Sequence, residues 1–255
     1  MSRVWSQRKS GDADLRAHGC ALFSIVALRG IITDRGMFPD TQAEADRACW
    51  LIFAKTGVSK ADFRQRGLRM SEVAKAVADL QSGDRPKIRS QRLSGVKVRD
   101  LARLIADNPG SAAIIAVRYG VLVDAGYAPS GVTFRVGHAM CVVIGASATS
   151  FTLHDPLRGQ TITIPIDVIE HAMESFGAKP WGDGRGEAVV AYRWRTYEEL
   201  YPIVKGQRDE ARADVARLEA ELAACKAGDD DVEALLAEAR AKGIADAAAA
   251  AGAVR

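Results

Sequence analysis

The sequence predicts an α+β fold in which helices come first and an antiparallel sheet follows. Up to about residue 107 the apolar residues recur at helical spacing, whereas from residue 112 they gather into short runs separated by turn residues, the mark of strands. Segregated helices and strands build α+β domains rather than alternating α/β ones. The last 50 residues differ in kind, with 18 Ala and no Trp, Phe or Tyr. Residues 1–203 therefore read as one domain and residues 204–255 as a helical, coiled-coil tail.

Each element has its own signal. Residues 20–29 are an apolar helix-like run, and Thr41 with Glu44 forms a capping-box signature that opens a helix to about Lys55. Residues 71–81 and 98–107 carry further helical patterns, the second stopped by Pro109-Gly110. Strands are predicted over 112–117, 137–145, 150–154, 160–164 and 188–194, with one helix over 166–176. In the tail, Val204, Ala211, Val215, Leu218, Leu222 and Cys225 follow heptad spacing, with Arg208 in the one unfilled core position. Three heptads are marginal alone, so this helix is expected to pack on the body, on a second copy as a homo-oligomer, or on a partner. A second tail helix is predicted over 232–242.

Composition narrows the classes. The chain has 255 residues, 48% hydrophobic and 26% charged, which excludes disordered and collagen-like proteins. No apolar run approaches the ~20 residues of a membrane-spanning helix, and the first residues lack the pattern of a classical signal peptide. Residues 206–255 hold 7 Lys/Arg against 11 Asp/Glu, so the rest of the chain carries a net +7. That suits an anionic polymer but lacks the dense basic stripe of a nucleic-acid binder, and nucleic acid is not expected as a partner. Seven Lys/Arg between Arg85 and Arg103 read as a solvated loop and helix face. Cys20, Cys49, Cys141 and Cys225 are far apart, which fits neither a zinc site nor a disulfide scaffold, and there is no P-loop. No metal or cofactor is expected.

Chemistry concentrates at three places. Cys20 follows His18-Gly19 and opens an apolar helix, where backbone N–H groups and the helix dipole favour a thiolate. His138 begins a predicted strand and Asp155 ends the next, before Pro156. A hairpin centred between Ala146 and Ser147 sets His138 opposite Asp155, Met140 opposite Leu153 and Val142 opposite Phe151. The other histidines fit the role less well: His18 sits two residues before the helix, His154 faces away from Asp155 on its strand, and His171 lies on a solvated helix face. Cys49 and Cys141 read as core residues. The segment from Tyr119 to Phe134, with Tyr127, Pro129 and Gly131, is expected as a loop bordering a substrate cleft.

Three blocks, in order, carry a family likeness: residues 5–8 (WSQR) with 18–24 (HGCALFS), then 137–145 (GHAMCVVIG), then 153–159 (LHDPLRG). Over roughly residues 4–194 the chain resembles papain-like cysteine peptidases of the bacteriocin-processing, double-glycine peptidase-like branch, found in bacteria and their phages. The resemblance implies a papain-like fold with Cys20 as nucleophile, His138 as base and then acid, and Asp155 holding the imidazole. It implies that the Gln7 amide and the Cys20 backbone N–H form the oxyanion hole.

These readings lead to an expected cysteine peptidase, with the stem peptides of bacterial peptidoglycan as favoured substrate and a phage virion as the delivery route. The protein would reside in the virion or host cytoplasm before release, act at the cell wall, and use residues 204–255 to mount on a tail structure. Two alternatives stay open: a structural virion protein that keeps the fold with little or no catalysis, and an acyl transferase using the same triad.

Overall fold

The computed structural model describes residues 5–33, 39–80, 88–127, 138–147, 149–175, 186–192, 206, 208–219 and 240–243, without the side chains of 138–142 and 144. The chain divides into two compact units, Met1–Trp194 and Arg195–Arg255. In the second unit, residues 208–219 are helical, with Val215 and Leu218 exposed at 49% and 44%. Of the predicted seam, Val204, Leu222 and Cys225 lie outside the described residues, as does most of the second predicted helix.

The first unit begins with a 3-10 turn at Gln7–Lys9, followed by α1 (Ala13–His18), α2 (Cys20–Ile32), α3 (Gln42–Thr56), α4 (Lys60–Arg66) and α5 (Met70–Ala78). Then come β1 (Ser90–Leu93), α6 (Val98–Asp107), β2 (Ala112–Arg118), α7 (Tyr119–Asp124), β3 (His138–Ala146), β4 (Ser150–Asp155), β5 (Gln160–Pro165), α8 (Ile166–Glu174) and β6 (Ala188–Ala191). The six strands form one antiparallel sheet in the order β1-β6-β2-β3-β4-β5. This is the α+β class read from the sequence.

The sheet separates two apolar layers. Ala112, Ile114 and Ala116 of β2 pack with α2, α3 and α5, while Ala113, Ile115 and Val117 pack with α6, α7 and α8. Covered on both faces, β2 shows an unbroken apolar run instead of alternation. α2 is apolar all round because it is buried between the sheet and α3, with eleven of its thirteen residues buried. α6 is the opposite case: Val98, Leu101, Ala102 and Ile105 face the sheet while Arg99, Asp100 and Arg103 are exposed. The Thr41 capping box on α3 is present with both reciprocal bonds.

Three expectations need correction. The basic stretch contains a strand, β1, whose Arg92 pairs with the fully buried Glu187. The segment after β2 is α7 rather than a loop, with Tyr119 and Leu122 in the core; Pro129 and Gly131 lie outside the described residues.

The β3–β4 register also differs. Val142 pairs with His154 and Val143 with Leu153, three residues from the symmetric expectation. The cause is the turn. The Ser147 hydroxyl accepts from Thr149 N and Ser150 N, and Ser147 N donates to Ser150 O, which closes the hairpin further along the chain. A bulge between Val143 and Gly145 then takes one residue back. His138 is therefore not the cross-strand partner of Asp155; its ladder partner is Arg118 of β2.

Candidate active site

The elbow that presents Cys20 is built from the chain just before it. Asp12 caps α1 by accepting from Asp14 N (2.8 Å) and Leu15 N (3.1 Å), and its second oxygen accepts from Trp50 Nε1 of α3 (3.1 Å). Burial pushes the Asp12 carboxyl up, but these hydrogen bonds and the charge of Lys60 outweigh it and hold the pKa below its ordinary value. Leu15 is the one buried residue of α1 and fixes how the helix lies. At the far end, Gly19 closes α1 by donating to Leu15 O (2.9 Å) and serves as the N-cap of α2. A Cβ at position 19 would stand 2.5 Å from Leu15 O, so only glycine lets the two helices meet there.

Cys20 is thus the first residue of α2, 8% exposed and a thiol rather than a disulfide. Its glycine cap supplies no side-chain acceptor, so the positive end of the helix is not neutralised by its own capping residue. Cys49, expected as core filling, is fully buried on α3; burial, with Asp46 adding to it, pushes that thiol well up. The side chain of Cys141, and Cys225 altogether, lie outside the described residues.

Gln7 joins this elbow to the Asp155 turn. Its Nε2 donates to Arg16 O near the end of α1 (2.9 Å), and its backbone N–H donates to Pro156 O (2.8 Å). The neighbouring Ser6 Oγ donates to Leu157 O (3.3 Å), so the N-terminal segment is stitched to the turn between β4 and β5. Gln7 is 4% exposed, and its Oε1 has no partner among the described residues. A primary amide has two N–H donors, and only one is committed to Arg16.

Asp155 ends β4 with no exposure at all. Tyr119 OH donates to its Oδ2 (3.0 Å), while Oδ1 accepts from Leu157 N (2.8 Å) and, at longer range, from Arg158 N (3.4 Å). Desolvation pushes its pKa up; the Tyr119, Leu157 and Arg158 hydrogen bonds and the charge of Arg158 oppose this without cancelling it. A carboxylate has about four acceptor positions, so three donors leave it able to take one more.

His138 opens β3 at the level of Arg118, the residue before Tyr119; its side chain lies outside the described residues. Gln7, the α1–α2 elbow and Asp155 are joined through hydrogen bonds at the end of the sheet where β4 stops and β3 starts. Tyr119 is the participant that sequence reasoning missed. The available signal was a tyrosine directly after an apolar strand, the place where its ring is buried and its hydroxyl must find an acceptor.

The remaining histidines separate clearly. His18 is half-buried edge-on to Phe63, and desolvation lowers its pKa against the pull of Asp14. His171 is exposed on α8. His154 is 2% exposed, neither ring nitrogen has a partner among the described residues, and desolvation lowers its pKa to about 4. Among the described residues no helix is long and apolar enough to cross a membrane, and no group of three His, Cys, Asp or Glu could hold a metal.

No protein-family model matches the chain, and no curated protein matches it. A solved structure from Bacillus anthracis, described as a "putative C39-like peptidase", is similar over 77% of this chain and 98% of its own, at 13% identity and a TM-score of 0.46. At that level the likeness says nothing of chemistry, and the reading of the site rests on its own geometry.

Proposed function

We propose that the first unit is a cysteine peptidase whose nucleophile is Cys20. The observation that carries this is Gln7, whose side chain holds the elbow before Cys20 while its backbone holds the turn after Asp155. In this reading the Cys20 sulfur attacks the substrate carbonyl and the oxyanion is met by the Cys20 N–H and the uncommitted Gln7 N–H. His138, oriented by Asp155, gives its proton to the leaving amine as the C–N bond breaks. Water then loses a proton to His138 and attacks the thioester, and the C–S bond breaks to release the acid and restore the thiolate. The favoured substrates are the stem peptides of bacterial cell wall, reached by release from a phage.

The test is alkylation of Cys20 by iodoacetamide, read by peptide mass from pH 5 to 9 in the wild type and in His138→Ala. Fast labelling near pH 6 that collapses in the variant supports an activated pair and justifies assays on wall peptides. Labelling like an ordinary thiol of pKa ~8.5, unchanged by the substitution, retires the peptidase.

A second reading, a structural virion protein assembled through its tail, is favoured by the exposure of Val215 and Leu218 on the 208–219 helix. Deleting residues 206–255 separates the two. A peptidase keeps its turnover and loses only assembly, whereas the structural protein has no turnover to keep.

A further inference from the structure

A cleft of about 240 Å³ lies against the seam between the Gln7 turn and the β4–β5 turn, lined by Ser6, Arg8, Lys9, Leu157, Arg158 and Gln160. We infer that this cleft is a subsite for a carboxylate of a peptide substrate. The position relative to the scissile bond rests on the peptidase reading; the binding itself does not.

Charge is the first argument. Three of the six lining residues are cations and none is an acid. The exposed Arg8 and Lys9 side chains make no ion pair or hydrogen bond with any described residue. Arg158 is half-buried and held in place by donating from Nη1 to Tyr127 O (2.8 Å), which leaves its remaining N–H groups for another acceptor. Asp155, two residues before Leu157, is fully buried and already takes hydrogen bonds on both oxygens. Asp155 offsets part of the Arg158 charge, but Arg8 and Lys9 have no anion paired to them among the described residues, so the gathered cations repel one another and a bound carboxylate reverses the sign of that interaction.

Shape is the second. Drug-sized ligands and cofactors occupy cavities of roughly 300–1,000 Å³, so this cleft suits a single residue rather than a whole cofactor. Leu157 offers a wall for methylene groups beside the charged groups. The walls are also fixed in advance. Ser6 Oγ is bonded to Leu157 O, Gln7 N to Pro156 O, and Gly159, at φ +63°, approaches Ser6 so closely that a Cβ would stand 2.7 Å from the serine Cβ. Only Gly permits both that backbone and that approach. Ser6 and Arg8 flank Gln7, and Leu157 and Arg158 follow Asp155 by two and three residues, which sets the cleft against the segments that carry Gln7 and Asp155.

The experiment is equilibrium binding of fluorescent, N-acetylated Ala/Gly peptides to the full chain carrying Cys20→Ala, so that nothing is cleaved. One pair differs by a central Glu or Gln, the other by a free or amidated C-terminus. At least one carboxylate form should bind about tenfold tighter than its amide partner, the size of one charge-assisted hydrogen bond. Which pair shows it identifies the side chain or the terminus as the source. Arg8→Gln with Lys9→Gln, both exposed, should erase the preference, while Arg47→Gln with Arg99→Gln, exposed elsewhere, should leave it intact. No preference in either pair, a preference that survives the first double variant, or an equal loss in the second overturns the subsite. A chain that binds acidic peptides yet shows no activated Cys20 retires the peptidase and keeps the subsite.

Discussion

Tyr119 donates its hydroxyl to Asp155 at 3.0 Å, across 36 positions of sequence and with both residues fully buried. Desolvation raises the Asp155 pKa, so the folded state binds this proton more tightly than the unfolded chain does. The favourable contribution of that proton is complete below pH ~3.8 and is lost as pH rises through the folded value. Tyr119→Phe removes a donor that favours the charged form and should push the Asp155 pKa further up. At neutral pH the variant should lose about 1–3 kcal/mol in urea unfolding, with the loss shrinking towards pH 3.5, where the carboxyl is protonated. An equal penalty at both pH values would show that the hydroxyl acts through packing alone.

Gly19→Ala brings a methyl group to 2.5 Å from a backbone oxygen that has no rotamer to escape into. The α1–α2 elbow must open, costing about 1–3 kcal/mol by the usual scale of overpacking. Because the displaced segment ends at Cys20, the rate of thiol alkylation should change along with the melting temperature. Gly126→Ala serves as the comparison: its φ of +79°, unlike the −78° of Gly19, is itself unfavourable for alanine, but no atom lies within 4 Å of the added Cβ, so it tests backbone strain without the clash.

His154 is buried in its neutral form, with a pKa lowered to about 4 by desolvation. Its folded value lies below its unfolded one, so the unfolded chain binds the extra proton, and stability falls as pH drops from ~6.5 to about 4. That window corresponds to about 3 kcal/mol. His154→Leu should remove this part of the acid sensitivity in a series of urea melts, leaving the curve flatter between pH 6.5 and 4. A variant with the wild-type slope would assign the acid loss to other groups.

Glu187 is fully buried, with Arg92 on one oxygen and its Oε2 without a partner among the described residues. Arg92→Ala leaves that carboxylate buried without its cation and should cost about 3–5 kcal/mol. Arg92→Ala with Glu187→Gln should recover most of the loss, because what is expensive is the uncompensated charge. A double variant as unstable as the single one would locate the effect in packing of the β1–β6 edge.

The legible parts of the fold were those where burial leaves a period. α3 declared itself through its capping box, α6 through one apolar face, and β2 through an unbroken apolar run. α1 and α4 each bury one residue, Leu15 and Phe63, and a single buried residue has no period to read. β1 is an edge strand of Ser, Gln, Arg and Leu, polar as edge strands commonly are, with no strand paired to its outer side among the described residues. In the candidate site, Cys20 was marked by Gly19 and by the apolar helix it opens. Its relation to Asp155 was not legible, since it depends on Gln7 bonding to two distant carbonyls. The directly opposite cross-strand register expected for positions 138 and 155 failed for a local reason: the Ser147 hydroxyl, rather than the symmetry of the apolar runs, decides where the hairpin turns.

The stitch between Ser6 and Leu157 joins residues 151 positions apart. On the ribosome Ser6 and Gln7 emerge long before Pro156 and Leu157, so their resting place does not exist until the β4–β5 turn has been made. The elbow at Gly19 can form early from local contacts, but its connection to Asp155 must wait for most of the first unit to be synthesised. A nascent chain therefore carries Cys20 well before it carries the turn to which Gln7 bonds, and a product truncated ahead of residue 155 has neither the Ser6–Leu157 nor the Gln7–Pro156 hydrogen bond.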